Sequence, residues 1–278
     1  MLNCRSVSEI AGYLKYNTSY ASVLSNINES TIHRGHLEMI LGQKQFNDYA
    51  ALARYDMTVG LKMSDYIIKR AEIGLIISCL RLISAGRAGE FLFSMPMFFS
   101  SHTQLDLIKM SQCKSYNQLV EAMEHTVYRD ILAKFQPKDN GKILLTEIET
   151  ALFTHLTQTF FKMIEKHRPS TRDKLRSLFG ADIDVQNVTR ILRLKRFFNA
   201  EPEFIRKNFL PFGNSISIKA MESMINAPTA DAVMDIFLST PLGRSIPESQ
   251  RAFTYDLHHR VPYFAARRYM HYSIHPAV

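Results

Sequence analysis

The strongest constraint on the fold is a segment that the chain contains twice. Residues 72–83 read EIGLIISCLRLI and residues 184–196 read DVQNVTRILRLKR, so that Glu72 aligns with Asp184. At the same offset an arginine follows a leucine in both segments. Because chance rarely aligns acidic, apolar and basic positions together, the pair indicates an internal duplication.

Two further landmarks accompany the duplicated segment in the same order. A threonine-containing segment precedes it at 6–24 and at 115–132, and an aromatic stretch with a proline follows it near Pro96 and near Pro211. A duplicated unit of this length predicts subdomains that repeat one structure.

The threonine landmark occurs a third time, at 229–246, where Thr240 takes the place of Thr18 and Thr126. No third acidic segment with a Leu-Arg pair follows it. We therefore expect the third repeat to be incomplete. The predicted division is 1–110 for repeat one, 111–226 for repeat two and 227–278 for the partial repeat three.

The duplicated segments have helical periodicity. Apolar residues recur at three- and four-residue steps, which predicts one buried helix face. In the second copy the positions predicted to face inward are Val185, Val188, Ile191 and Leu192, and those predicted to face outward are Gln186, Thr189, Arg190 and Arg193. In the first copy Ile76, Cys79, Leu80 and Ile83 are predicted to face inward, and Ser78 and Arg81 outward.

Further signals of helices and turns occur in the rest of the chain. The segment Thr146–His167 is predicted to be a long amphipathic helix that Pro169 prevents from continuing, and 137–142 a turn. Asp182 and Asp184 are interpreted as a helix cap and first-turn acids. No region alternates as a strand does, so the predicted fold is all-α.

Composition indicates a folded protein with a basic net charge, but it does not identify a partner. Hydrophobic residues make up 46% of the 278 residues, enough to bury a core, and the net charge is +8. That charge suits nucleic acid, an anionic membrane surface, an acidic protein or a merely solvated surface. The three cysteines are far apart in the sequence, which indicates inert thiols in a reducing compartment. No apolar run has the roughly 20 residues that a spanning helix needs, and no signal peptide opens the chain.

Motifs for catalysis are missing from the sequence. There is no phosphate-binding glycine loop, no dinucleotide fingerprint and no nucleophile elbow. Three pairs have a spacing or chemistry that suits a metal: Asp182 with Asp184, His33 with His36, and His271 with His275. Helix capping explains the aspartates better, and neither histidine pair has an acidic or sulfur ligand beside it. We therefore predict no catalytic, cofactor-binding or metal-ligating residue, and interpret His258 and His259 as a surface or packing pair.

Two other segments leave alternatives open. Residues 165–176 are basic and could contact phosphates, although a solvated loop between helices is the favoured interpretation. The aromatic and methionine clusters at 91–99 and 196–205 suit a core, a junction between repeats or a surface for a hydrophobic partner.

The repeated motifs resemble a known family. They are similar to motifs of the C subunit of bacterial and archaeal V-type (A-type) ATPases, whose eukaryotic counterpart is the d subunit. The similarity lies in an acidic residue followed by N-x-x-x-I-L-R-x-K, then an L-P-x-G segment, then a threonine element. The segment 184–213 matches best, and the resemblance extends over nearly the whole chain. Leu75 departs from the pattern because the second copy has Asn187 at that position. The chain also begins late and ends early relative to the family, so we expect a protein truncated at both ends.

The resemblance implies a non-catalytic, all-helical funnel of three related subdomains about a pseudo-threefold axis. It implies a peripheral position on the cytoplasmic face of the membrane, with no cofactor and no nucleic acid. The implied partners are the central-stalk subunits and the membrane proteolipid rotor ring, between which such a subunit passes torque during proton or sodium transport. The repeat-motif residues are candidate interface residues, or else only fix helices within each repeat: Glu72, Arg81, Asp184, Asn187, Arg190 and Arg193.

Two functions of other classes stay open at this stage. A basic helical nucleic-acid-binding protein would show binding that falls steeply with salt. A helical enzyme with an unrecognised site would gather perturbed carboxylates or histidines in one pocket. The sequence does not distinguish a proton from a sodium ion as the coupled ion, or pumping from synthesis.

Overall fold

All the regular elements of the described residues are helices. The computed structural model describes residues 4–55, 60–138 and 141–246, and within those ranges it contains no strand, which confirms the all-α prediction. Three short 3-10 helices accompany the α-helices. The α-helices are α1 (Val7–Asn17), α2 (Ala21–Leu24), α3 (Arg34–Tyr55), α4 (Gly60–Ser84), α5 (Phe91–Ser94), α6 (Leu107–Gln112), α7 (Tyr116–Ala122), α8 (Tyr128–Leu132), α9 (Leu145–Ile164), α10 (Pro169–Phe198), α11 (Pro202–Lys207), α12 (Ile218–Asn226), α13 (Ala230–Ser239) and α14 (Pro241–Arg244).

The chain divides into two compact units, residues 1–143 and 144–278. The division falls just before α9, beside the segment predicted to be a turn, of which residues 139 and 140 lie outside the described residues. A division into two compact units does not test whether the sequence contains three repeats. The three sequence repeats, and their arrangement about a pseudo-threefold axis, therefore stay predictions.

In unit 1 the helix α4 carries the duplicated segment. Ile76, Cys79 and Leu80 are buried as predicted, Ile83 is half-buried, and Arg81 is exposed. The inward positions bury because they repeat at helical spacing on the side that packs within the unit.

In unit 2 the helix α10 carries the second segment. Val185, Val188 and Ile191 are fully buried against α12 and α13, and Leu192 is only partly buried. The outward prediction is wrong for Gln186, which is buried and donates from Nε2 to Asp182 Oδ2 at 2.7 Å. It failed because this part of α10 is buried on more than one side.

The interpretation of Asp182 and Asp184 as helix-start residues is wrong. The helix α10 begins at Pro169 and both aspartates lie near its middle. Proline suits the first position of a helix because its missing N–H has no partner there and its φ is already helical. The same start makes residues 169–176 helical, whereas the sequence favoured a loop for the whole of 165–176.

The three threonine landmarks begin in the same way. Each helix has a hydroxyl N-cap that accepts a hydrogen bond from the backbone N–H three residues later, the capping arrangement that stabilises a helix start. The caps are Ser6 on α1, Ser115 on α7 and Thr229 on α13.

The landmark threonines make the same hydrogen bonds after the three helices, Thr18 and Thr240 at the C-cap and Thr126 four residues beyond the end of α7. Each hydroxyl donates to a backbone carbonyl three or four residues earlier: Thr18 to Leu14, Thr126 to Met123 and Thr240 to Phe237. Each also accepts from an N–H two or three residues later: from Tyr20, Tyr128 and Gly243. Because Ser and Thr hydroxyls compete with helical bonding, these turns redirect the chain into a short second helix.

Leu192→Ala is expected to lower the free energy of unfolding by about 1–2 kcal/mol, because the side chain is only partly buried. Its aligned residue Leu80 has no exposed surface, so Leu80→Ala should cost more. Chemical denaturation of the two variants measures the difference. Equal losses would contradict the partial burial of Leu192.

Candidate functional site

Glu72 is a buried carboxylate in the middle of α4. Its Oε1 accepts hydrogen bonds from Thr103 Oγ1 at 2.6 Å and from the backbone N–H of Gln104 at 3.1 Å, and its Oε2 accepts one from Tyr128 Oη at 2.5 Å. Burial, together with the bond to Glu72, raises the pKa of Tyr128, so the phenol keeps the proton it donates. The three donors fix the loop before α6 and the helix α8 to the long helix.

Asp184 is the corresponding buried carboxylate in α10. Its Oδ2 accepts from the backbone N–H of Ser215 at 2.6 Å and of Ile216 at 3.0 Å. Burial raises the pKa of Asp184, and its backbone hydrogen bonds act in the opposite direction. Gly213 lies so close that a Cβ there would overlap Asp184 Oδ1. The position therefore needs glycine for a close approach of backbone to carboxylate.

The two carboxylates accept hydrogen bonds from groups that lie at the same separations along the chain. Glu72 binds groups 31 and 32 residues later in the chain, and Asp184 does the same. This agreement supports their alignment in the sequence. We refer below to α4–α8 as the first copy and α10–α14 as the second copy.

Asn187 makes a second side-chain contact to a distant backbone segment, and the first copy has no equivalent of it. Its side chain exchanges two hydrogen bonds with the backbone of Leu210: Nδ2 donates to the carbonyl at 3.0 Å, and Oδ1 accepts from the N–H at 2.9 Å. The aligned Leu75 has no polar atom to do this, as the sequence comparison predicted. Two residues beyond Leu210, Phe212 has φ +77° and stacks on Phe161 with ring centroids 4.6 Å apart.

Arg190 is also an internal tie, so the prediction that it faces outward is wrong. Its Nη1 donates to Thr150 Oγ1 at 2.9 Å and to the Asn208 carbonyl at 2.8 Å, and its Nη2 lies 3.5 Å from Glu149 Oε1. Burial lowers the pKa of Arg190, and Glu149 opposes that shift. The guanidinium joins α9, α10 and the end of α11, because its planar donors reach several acceptors together.

Arg81 and Arg193 are the two candidates that the structure leaves exposed. Arg81 lies in the last turn of α4, where a cation interacts favourably with the helix dipole, and Arg193 lies in the C-terminal part of α10, before its last turn. Of the six sequence candidates, four therefore hold a unit together, and the other two are exposed.

The structure separates the aromatic cluster at 91–99 into two faces. Phe91, Met95 and Phe99 are buried, whereas Leu92 and Phe93 are exposed, Phe93 to 88%. In the second copy Phe197 and Phe198 are exposed as well, to 65% and 68%. Of the alternatives that the sequence left open, the core holds for Phe91, Met95 and Phe99, and a junction between repeats or a partner surface stays a prediction for the exposed side chains.

Metal ligands do not gather in the part of the chain that the structure describes, where no group of three or more His, Cys, Asp or Glu side chains could hold an ion. His33 and His36 are exposed, and His258, His259, His271 and His275 lie outside the described residues. Cys79 and Cys113 are buried, and burial raises the pKa of Cys79 to about 12, so its thiol is unreactive. In the described ranges no helix combines the length and apolar character needed to span a membrane.

The comparison with protein families agrees with the duplicated landmarks. A family model described as ATP synthase (C/AC39) subunit matches residues 1–277. The chain belongs to this family. A curated relative, the C subunit of the A-type ATP synthase of Methanosarcina mazei, is 24% identical over 157 residues, which are 56% of this chain and 42% of the relative. The aligned part thus spans less than half of the relative's length.

Several residues that hold this C/AC39-family chain together were not identified as site residues from the sequence. Tyr128 stood out only as a landmark of the repeat, and Gly213 only as the end of the L-P-x-G segment. Thr103 and Asn208 carried no signal, because their partners are distant in the chain. The arrangement pins loops to long helices and leaves arginine and aromatic side chains exposed, which suits a stiff binding scaffold.

Proposed function

We propose that this chain is a non-catalytic coupling subunit of a V-type (A-type) ATPase rotor. In this role it binds the central-stalk subunits on one side and the membrane proteolipid ring on the other, and transmits torque during proton or sodium transport. It is peripheral, on the cytoplasmic face of the membrane. The match of residues 1–277 to the ATP synthase (C/AC39) subunit family carries the proposal.

Two structural features support a coupling role. Transmitting torque requires elements that do not yield, and the carboxylate ties of Glu72 and Asp184 fix a loop to each long helix. Binding requires accessible anchors, and exposed aromatic side chains such as Phe93 and Phe197 are of the type that dominates interfaces.

Co-purification tests the proposal. The chain is expressed with the two central-stalk subunits and the proteolipid ring from the same source, and the complex is isolated in detergent. We expect stoichiometric retention of the chain with the stalk and with the ring. A folded chain that is retained by neither would overturn the proposal.

A further inference from the structure

A groove in unit 2 lies beside the stacked rings of Phe161 and Phe212. Helix α9 forms one wall, and Arg176 of α10 and the loop 212–214 form the other. Its volume is about 670 Å³, within the range of pockets that hold a small molecule. We refer to it as the Phe212 groove. Its size and its position on one compact unit make it a candidate site for a small ligand.

Phe212 has an unfavourable backbone conformation in the wall of this groove. Its φ is +77°, in the left-handed region that a bulky residue rarely adopts. In the first copy the residue after the aligned proline is Met97, which lies in a 3-10 helix. The repeat itself therefore does not require this conformation. Because strained residues cluster at ligand sites, the strain at Phe212 points to a use for its ring.

One face of the Phe212 ring is available for stacking. Phe161 covers the other face, with ring centroids 4.6 Å apart and an angle of 13° between the planes. Phe161 is buried, whereas Phe212 keeps 42% of its surface exposed. Within the described part of the chain no second ring contacts Phe212. A flat ring of a ligand can therefore stack on Phe212, which Phe161 supports from behind.

The charged groups of the groove favour an anion. Lys162 is exposed, and none of the residues that the structure describes forms a hydrogen bond or an ion pair with its ammonium group. Arg176 pairs with Glu165 through Nη2, so the other N–H groups of its guanidinium are still able to donate. Because Arg176 balances Glu165, Lys162 gives the groove an excess of positive charge.

A stacking face beside these cations suits a nucleoside phosphate. Bases stack on aromatic side chains whatever their identity, and ammonium and guanidinium groups make strong hydrogen bonds to phosphate oxygens. A lipid headgroup or a nucleic-acid duplex presents phosphate without a free ring, so it would leave Phe212 unused. A single strand of nucleic acid needs several exposed rings along a track, and among the residues that line this groove Phe212 alone exposes its ring.

We infer that the Phe212 groove binds one nucleoside phosphate. The base stacks on the face of Phe212 that Phe161 does not cover, and the phosphate accepts hydrogen bonds from Lys162 and Arg176. The inference rests on the residues of this groove and does not depend on the coupling role proposed above.

Calorimetric titration of the full chain with ADP tests the inference. We expect one-to-one binding to which both parts of ADP contribute. Adenosine carries the base without the phosphates and pyrophosphate carries the phosphates without the base, so each should bind about tenfold more weakly or worse. Absence of ADP binding up to about 1 mM, or equal affinity for adenosine or pyrophosphate, would overturn the inference.

Substitutions of the two contact residues test the site itself. Lys162→Gln and Phe212→Leu should each weaken ADP binding about tenfold or more, because each removes one of the contacts. The matched control is Lys166→Gln, since Lys166 is also exposed but does not line the groove, and its affinity should stay within about twofold. Because Lys162 is exposed, Lys162→Gln tests binding even if circular dichroism shows that a Phe212 variant unfolds.

Two variants with opposite expected effects complete the test. Phe212→Gly removes the strain together with the ring, so it should weaken ADP binding about tenfold or more while the chain stays folded. Glu165→Gln releases Arg176 from its ion pair, so it should strengthen ADP binding about threefold or more. Unchanged affinity in both variants would show that Phe212 only packs unit 2, and the inference would be wrong. It would also be wrong if an oligoadenylate bound much more tightly than ADP, which would assign the groove to single-stranded nucleic acid.

Discussion

Glu72→Ala is expected to lower the free energy of unfolding by about 3–5 kcal/mol. The substitution leaves three donors without their acceptor: the Thr103 hydroxyl, the Gln104 N–H and the Tyr128 hydroxyl. The Tyr128 hydroxyl is left unsatisfied in a buried place, which costs about 1–3 kcal/mol. The partly buried bonds of Thr103 and Gln104 add less each, because water reaches those groups. Urea denaturation of the full chain, followed by circular dichroism, measures the loss.

Two further variants separate the contributions around Glu72. Tyr128→Phe removes a single donor and should cost about 1–2 kcal/mol, well below the loss in Glu72→Ala. Glu90→Ala removes an exposed glutamate that pairs with Arg87 at the surface, and should leave the stability nearly unchanged. A Tyr128→Phe loss as large as that of Glu72→Ala would show that the bonds to Thr103 and Gln104 contribute little.

Gly213→Ala is expected to destabilise unit 2 by about 3 kcal/mol or more. The added Cβ would overlap Asp184 Oδ1, and the carboxylate cannot move away without losing its bonds to Ser215 and Ile216. The same denaturation experiment measures this loss. The control is Gly12→Ala in α1, where a Cβ meets nothing within 4 Å and alanine favours the helix, so stability should hold or rise by about 0.5–1 kcal/mol.

A double-mutant cycle tests the cause of the Gly213 effect. Asp184→Ala is destabilising alone, because two backbone N–H groups lose their acceptor. It also removes the atoms that the new Cβ would meet. Gly213→Ala should therefore cost at least about 1.5 kcal/mol less in the Asp184→Ala background than in wild type. Equal costs in the two backgrounds would rule out this contact as the reason.

Helices and their buried faces were predictable because their signals are local. The spacing of Val185, Val188 and Ile191 places them on one face whatever the rest of the chain does. Helix boundaries were less predictable. An aspartate before an apolar run looks the same at a helix start and in a helix middle, and only the chain upstream, with Pro169 at the first position, decides between them.

The candidate site was predictable in its equivalences but not in its bonds. Alignment paired Glu72 with Asp184 and predicted that any bond of Asn187 would be missing at Leu75. It could not identify the donors, because these lie 31, 32 and 56 residues away for the carboxylates and 23 residues away for Asn187. Nor could it show that Arg190 turns inward, since a long side chain on a polar face can reach acceptors on neighbouring helices.

The different reach of these bonds sets an order of assembly as the chain emerges from the ribosome. The threonine turns close over three or four residues, so each can form as soon as its own helix is complete. The carboxylates emerge from the ribosome 31 and 32 residues before the backbone and hydroxyl donors of the loops do. Until then Glu72 and Asp184 must stay hydrated, because burying a carboxylate without a partner is costly. In each unit we therefore expect the loop to dock onto the long helix after the threonine turns have formed, with the face around the carboxylate open to water until then.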